Sequence, residues 1–296
     1  MNFLDWKETG KSFRHKGLYN IFYQEAGAGE TLLLLHGFPT ASWDWHKIWE
    51  PLSEKFHLLA PDFIGFGYSA KPADFTYSIH AQADMIEAFM KKKNIEKAHL
   101  FTHDYGDTVG QELLARALDR KGVGLQFTSV CLLNGGLFPE THKARLVQKI
   151  LNSPIGFLFG RFLNKNSLRN SFHNIFGKNT PPTDQEIDEF YELFTNQGGQ
   201  SILHKLIGYI TNRRQYRDRW VNCLQQYPAP IRLINGGADP VSGTHMTVRY
   251  KELISNPDVV LNEEIGHYPH TEAPDWVLEN YLEFMKHRVS NQAASA

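Results

Sequence analysis

Two cysteines in 296 residues, Cys131 and Cys223, are too few and too far apart for a disulfide framework or a CxxC metal site. Cys131 falls inside the apolar run SVCLLN and reads as core packing. An excess of charge is also missing. With 31 basic against 32 acidic side chains the formal net charge is -1, which argues against nucleic acid or an anionic membrane as the main partner. No apolar run approaches the roughly 18 residues that a membrane span requires, and the opening MNFLDWKETGKSFRHKG lacks the apolar stretch of a signal peptide. These absences predict a cytoplasmic chain that acts on a small molecule, with no nucleic acid and no membrane span, and they leave a homo-oligomer open.

What the sequence does have is rhythm. The apolar runs TLLLLHG, FHLLAPD, KAHLFTHD, SVCLLNGG, PIRLINGG and DVVLNEE are separated by longer helical patterns and bounded by glycine and proline. Continuous hydrophobic strands alternating with helices are what a parallel sheet covered on both faces requires, so the fold class is α/β, mostly parallel and doubly wound. Between about Pro139 and Tyr227 no strand run occurs, and FLFGRFLNKNSLRNSF, PTDQEIDEFYELF and SILHKLIGYI read as helices. Thr183 before Asp184, Gln185 and Glu186 is a credible helix N-cap. The predicted organisation is a core over residues 1–138 and 228–296 interrupted by a helical cap over 139–227.

Ligands of parallel α/β sheets bind beyond the carboxyl ends of the strands. Asp104 follows KAHLFTH and opens the helical run YGDTVGQELLARAL, Asp239 follows IRLINGGA, and His267 follows DVVLNEEIG. Alone, Asp104 reads equally well as an N-cap, and one histidine among 14 is more often structural. The order nucleophile, acid, histidine, each after its own strand, is that of a catalytic triad on a nucleophile elbow. In HGFP after the first strong run, the backbone N–H of Phe38 is placed to join that of Tyr105 in an oxyanion hole, with His36 beside the same loop as a substrate contact.

HGFP, DFIGFGYS, HDYG, GADP and IGHYPHTEAP together resemble the α/β-hydrolase fold, and within it the aspartate-nucleophile branch of epoxide hydrolases and haloalkane dehalogenases. HDYGD, NGGLFPETH and YITNRRQYRDRW further resemble the mesoderm-specific transcript group. The resemblance implies that Asp104 attacks an sp3 carbon to give an alkyl ester of the enzyme, which water activated by His267 then cleaves. It implies no metal and no organic cofactor. Tyr209 falls where epoxide hydrolases carry a tyrosine that protonates the opening oxygen. Their second tyrosine has no counterpart from Pro139 to Asp184, so His142 or His173 is the replacement. Dehalogenases bind halide through side-chain N–H groups at positions held here by Tyr105 and Phe38, which makes dehalogenation the alternative reaction and a non-catalytic binding protein a further one. Asp107 replaces a common glycine and reads as a favourable first-turn carboxylate. Arg213, Arg214, Arg217 and Arg219 read as a solvated helix face. The apolar stretch from Phe157 to Phe162 either closes over substrate or meets a second subunit.

Overall fold

In the computed structural model, residues 1–143, 145–153, 155–160 and 163–294 are described, without the side chains of Val147, Phe159 and residues 287–294. Eight strands form one sheet: β1 (Lys11–His15), β2 (Tyr19–Ala26), β3 (Thr31–Leu35), β4 (His57–Pro61), β5 (Lys97–His103), β6 (Gln126–Leu133), β7 (Ile231–Gly236) and β8 (Asp258–Asn262). Their order across the sheet is β1-β2-β4-β3-β5-β6-β7-β8. β1 pairs with β2 and β2 with β4 antiparallel, and every other pairing is parallel.

The leucine run of β3 shows why its pattern is continuous rather than alternating. Leu33 and Leu35 point into one core with Leu59, Leu100, Val130 and Leu132, while Leu32 and Leu34 point into the other with Leu58, Phe101, Cys131 and Leu133. Successive side chains of a strand face opposite ways, so a sheet buried on both sides needs apolar residues at every position. The first core is closed by the helices Ile79–Lys92, Tyr105–Asp119 and Arg217–Gln226, through side chains such as Phe89, Val109 and Trp220. Trp6, Trp49, Tyr281 and Phe284 close the second from the helices Phe3–Thr9, His46–Ser53 and Pro274–Ala294.

Among the described residues, no strand lies between β6 and β7, and the connection is built of helices from Leu146 to Gln226. Thr183 caps the helix Asp184–Thr195 in a reciprocal capping box with Glu186. Of the apolar stretch near 157, Phe157 and Leu158 are exposed, whereas Arg161, Phe162 and the Phe159 side chain lie outside the described residues. No described helix is long and apolar enough to cross a membrane.

Candidate active site

The carboxyl ends of the adjacent parallel strands β3, β5, β6, β7 and β8 deliver one residue cluster. Asp104 is the first residue after β5 and stands at φ 46°, ψ −100°, a left-handed conformation that costs a non-glycine residue about 1–3 kcal/mol. The turn is fixed on both sides. Asp104 N–H donates to the Leu133 carbonyl of β6 at 3.2 Å, and Gly106 N–H donates to the His36 carbonyl after β3 at 3.0 Å. A Cβ on Gly106 would lie 2.3 Å from the Leu35 carbonyl oxygen, so only glycine lets the elbow pass this close to β3.

Phe38 N–H donates to Asp104 Oδ2 at 3.1 Å, which sets the HGFP loop against the elbow. Tyr105 is the first helical residue after the elbow, and its N–H belongs to the first turn, which has no partner within the helix. His267 Nδ1–H donates to Asp239 Oδ2 at 2.7 Å, and its Nε2 lies 3.9 Å from Asp104 Oδ2. Asp239 is held by the N–H groups of Val241 and Ser242, the Ser242 hydroxyl and the Asn134 amide, at 2.7–3.1 Å.

The electrostatics follow from this geometry. Burial disfavours the charge on Asp104, yet the neighbouring His267 and Arg213 hold its carboxyl well below the usual range. Asp239 is likewise held low despite burial, chiefly by His267. Burial alone would lower His267, but the two carboxylates override it and push the imidazole up to about 10. The lowered carboxyls and the raised imidazole together favour an imidazolium between two carboxylates at neutral pH.

Above Asp104 opens a cavity of about 380 Å3. Phe38, Pro39, Val241 and His267 form its floor with Asp104, and the helical segment roofs it mainly with apolar side chains such as Leu151, Leu168, Phe172 and Phe194, among which Arg145, Ser167, Asn170, Ser171 and Asn174 also reach the lining. Gln148 also lines it and donates through Nε2 to the Tyr209 hydroxyl at 3.5 Å. Tyr209 is buried, with its ring 5.3 Å from that of Tyr105 and 5.8 Å from that of Phe38. Burial and then the charge of Asp104 raise its hydroxyl, which therefore keeps its proton.

The expected site residues fare unequally. His36 is fully buried: Nδ1–H donates to the Gly37 carbonyl at 2.9 Å, Nε2 accepts from Phe63 N–H at 3.0 Å, and the ring packs on Phe63 and Phe66. Both nitrogens are spent on backbone and the ring is not on the cavity wall, so His36 braces the oxyanion loop instead of touching a ligand. His142 is half-buried, with neither ring nitrogen hydrogen-bonded; burial and the charge of Arg213 hold it down at about 4, and it senses Asp104 and His267. His173 is exposed at the end of its helix. Asp107 is fully buried, takes a hydrogen bond from the Thr102 hydroxyl and is raised well above the carboxylate range by burial.

The reading of the arginines as a solvated face fails at Arg213, which is 2% exposed and reaches the elbow. Arg217 and Arg219 instead make ion pairs with Glu140 and Glu112, and Arg214 alone of the four is exposed. Arg213, Asn134 and Ser242 are the partners that the motif reading missed. The signal for Asn134 was its place directly after a strand, the same signal that located the triad.

Behind the triad, Asp44, His103 and His270 bring potential metal-ligand atoms within 4.8 Å of one another, all buried. His103 Nε2 donates to the His267 carbonyl at 2.7 Å, which leaves Nδ1 as a bare lone pair 4.0 Å from Asp44 Oδ2. Burial raises Asp44 well above the carboxylate range, and its Oδ2 accepts from Gly37 N–H at 3.4 Å and from the Thr40 hydroxyl at 2.5 Å.

The sequence pattern of the alpha/beta hydrolase fold matches residues 30–274. The mesoderm-specific transcript protein of Mus musculus is 39% identical over 294 residues, covering 95% of this chain and 87% of its own. A haloalkane dehalogenase variant from Bradyrhizobium elkanii superposes with a TM-score of 0.80 at 19% identity, over 97% of this chain and 99% of its own. The epoxide hydrolase CorEH does so with a TM-score of 0.76 at 21% identity, over 94% and 98%. At those identities the two structures speak for the fold alone. The chain belongs to the α/β-hydrolase fold family.

Proposed function

We propose that this protein hydrolyses an epoxide to a vicinal diol through an alkyl ester on Asp104. The observation that carries the reading is an ionised carboxylate on the floor of an apolar cavity, with Phe38 N–H on one oxygen and an Asp239-anchored imidazole 3.9 Å away. An elbow serine would give the acyl chemistry of esterases; an elbow aspartate gives alkyl chemistry.

Protons and charges balance over the cycle. Asp104 Oδ1, the oxygen not bound to Phe38 N–H, attacks a ring carbon, and the ring oxygen takes a proton from Tyr209 as the C–O bond breaks. Alkylation removes the negative charge of Asp104, so His267 loses one of the two carboxylates that kept it protonated. Its proton returns to the Tyr209 phenolate, and the neutral imidazole becomes a base when the reaction needs one. Water attacks Cγ, His267 takes one of its protons, the oxyanion forms at the N–H of Phe38 and Tyr105, and as the Cγ–Oδ1 bond breaks the product alkoxide leaves with Oδ1 and takes the second proton of that water from the new carboxyl group. The carboxylate and imidazolium are restored. The helices between β6 and β7 act as the cap that excludes bulk water, and His142, half-buried beyond the lining with neither ring nitrogen hydrogen-bonded, becomes the second donor to the opening oxygen if its ring turns toward the cavity.

The choice of epoxide over haloalkane rests on donors. Phe38 offers no side-chain N–H, while Tyr209, buried one layer behind the lining residues Phe38 and Gln148, has a hydroxyl that accepts from Gln148 and has its own proton to give. Incubation with aryl and alkyl epoxides and with chloro- and bromoalkanes separates the two. Epoxide loss matched by diol is expected; halide release without diol would transfer the assignment to dehalogenation.

A further inference from the structure

Arg213 comes from the helix Tyr209–Gln215, outside the sheet and its crossover helices, yet it ends at the nucleophile. Nη2 donates to the Asp104 carbonyl oxygen at 3.0 Å and lies 3.4 Å from Asp104 Oδ1. Nε donates to the Thr108 hydroxyl at 2.7 Å, and the guanidinium stacks 4.5 Å over the Tyr209 ring. A Cβ on Gly136 would lie 2.3 Å from Nη1, so the glycine after β6 makes room for the arginine. Contacts on three sides fix a long side chain in one place inside the protein. Such an arrangement is built to hold a charge at a defined point, because an arginine kept this far from water is costly without partners.

We propose that Arg213 is the fixed cation of the active site, positioning Asp104 and stabilising the oxygen that leaves when the alkyl-enzyme ester is cleaved. The proposal rests on Asp104 acting as nucleophile. In the resting site two cations, His267 and Arg213, face the carboxylates of Asp104 and Asp239. When His267 becomes neutral to act as a base, Arg213 alone stays charged, since guanidinium does not deprotonate in proteins. Its Nη2 is next to Oδ1, the oxygen that carries the alkyl group and departs as alkoxide, while Phe38 N–H serves the other oxygen. A cation there restrains the nucleophile in the first step and assists the leaving group in the second. Loss of Arg213 therefore slows ester cleavage more than ester formation.

Two measurements on the full chain test this, one without any substrate. With γ-13C aspartate labelling and the Asp104 resonance assigned through Asp104→Asn, the titration midpoint of Asp104 is expected to rise in Arg213→Gln, with Arg213→Lys in between. Thr108→Val, which keeps the charge and removes one anchor, is expected to show a smaller rise and guards against misfolding of the first variant. An unchanged midpoint in folded Arg213→Gln overturns the proposal whatever the substrate proves to be. The second measurement is intact mass during turnover of a reactive epoxide. Arg213→Gln, with His267 intact, is expected to accumulate the alkyl-enzyme because cleavage falls about 100-fold or more, with partial recovery in Arg213→Lys. Equal slowing of both steps would assign Arg213 a purely structural role. Failure of His267→Gln to form any adduct would count against the nucleophile itself, a result the titration does not depend on.

Discussion

As the proposed nucleophile, Asp104 has to be ionised in a mostly apolar cavity, and that demand accounts for the residues around it. Burial works against the charge, while His267, Arg213 and the Phe38 N–H work for it. That Asp104, Asp239 and His267 meet was legible because each follows its own strand, a regularity that survives without any knowledge of distances. Arg213 was not legible. Four arginines within seven residues read as a solvated face, and only the way the helix packs decides that one turns inward. His36 shows the opposite error, since a polar residue in a functional loop can be spent entirely on its own backbone. Tyr209 belongs to the same scale. Replacing it with phenylalanine keeps the ring contacts with Tyr105 and Phe38 and removes the proton donor. The alkylation rate with epoxides is expected to fall about 100-fold or more, with little change for haloalkanes, as stopped-flow or rapid-quench mass analysis of each substrate will register.

At the scale of elements, the six strands β3 to β8 were readable from their apolar runs, although the edge strand β8 is only half-buried. The helix Phe3–Thr9 and the antiparallel pair β1 and β2 were not. β1 is mostly exposed and its sequence, KSFRH, has no apolar run, so edge pairing alone makes it a strand. The loop carrying His267 was recognised by its histidine, but what holds it was invisible. Glu272 accepts hydrogen bonds from the N–H groups of Gly177, Gly266 and Tyr268 and from the Thr180 hydroxyl, at 2.6–2.9 Å. His267 N–H also donates to the Ile175 carbonyl at 2.8 Å. The loop is thereby tied to the helical segment that roofs the cavity. Glu272→Ala leaves three backbone N–H groups without their acceptor, and a loss of about 2–4 kcal/mol is expected in chemical denaturation. The same variant is expected to slow ester cleavage, because the imidazole loses its fixed position; a variant of unchanged stability would contradict this role for Glu272.

For the molecule as a whole, the sheet brings three distant segments into one charge cluster, and that cluster links folding to pH. His267 is raised to about 10 in the folded chain from an ordinary value near 6.5, so its contribution is complete below about pH 6.5 and is lost as pH rises through 10. Between these values the folded chain holds a proton that the unfolded chain has released. Stability is expected to decline across this window by at most about 1.4 kcal/mol per pH unit, and the gap between wild type and His267→Gln in denaturant titrations should narrow in step. A gap that is constant from pH 6.5 to 10 would mean the imidazole is not the resting cation. The central claim, that Asp104 is a nucleophile toward sp3 carbon, is most directly tested by the intact mass of His267→Gln after incubation with aryl and alkyl epoxides and haloalkanes. A stable adduct of the mass of one epoxide, absent when Asp104→Ala is added, is the predicted result. A folded protein that stays unmodified across the panel would contradict the account.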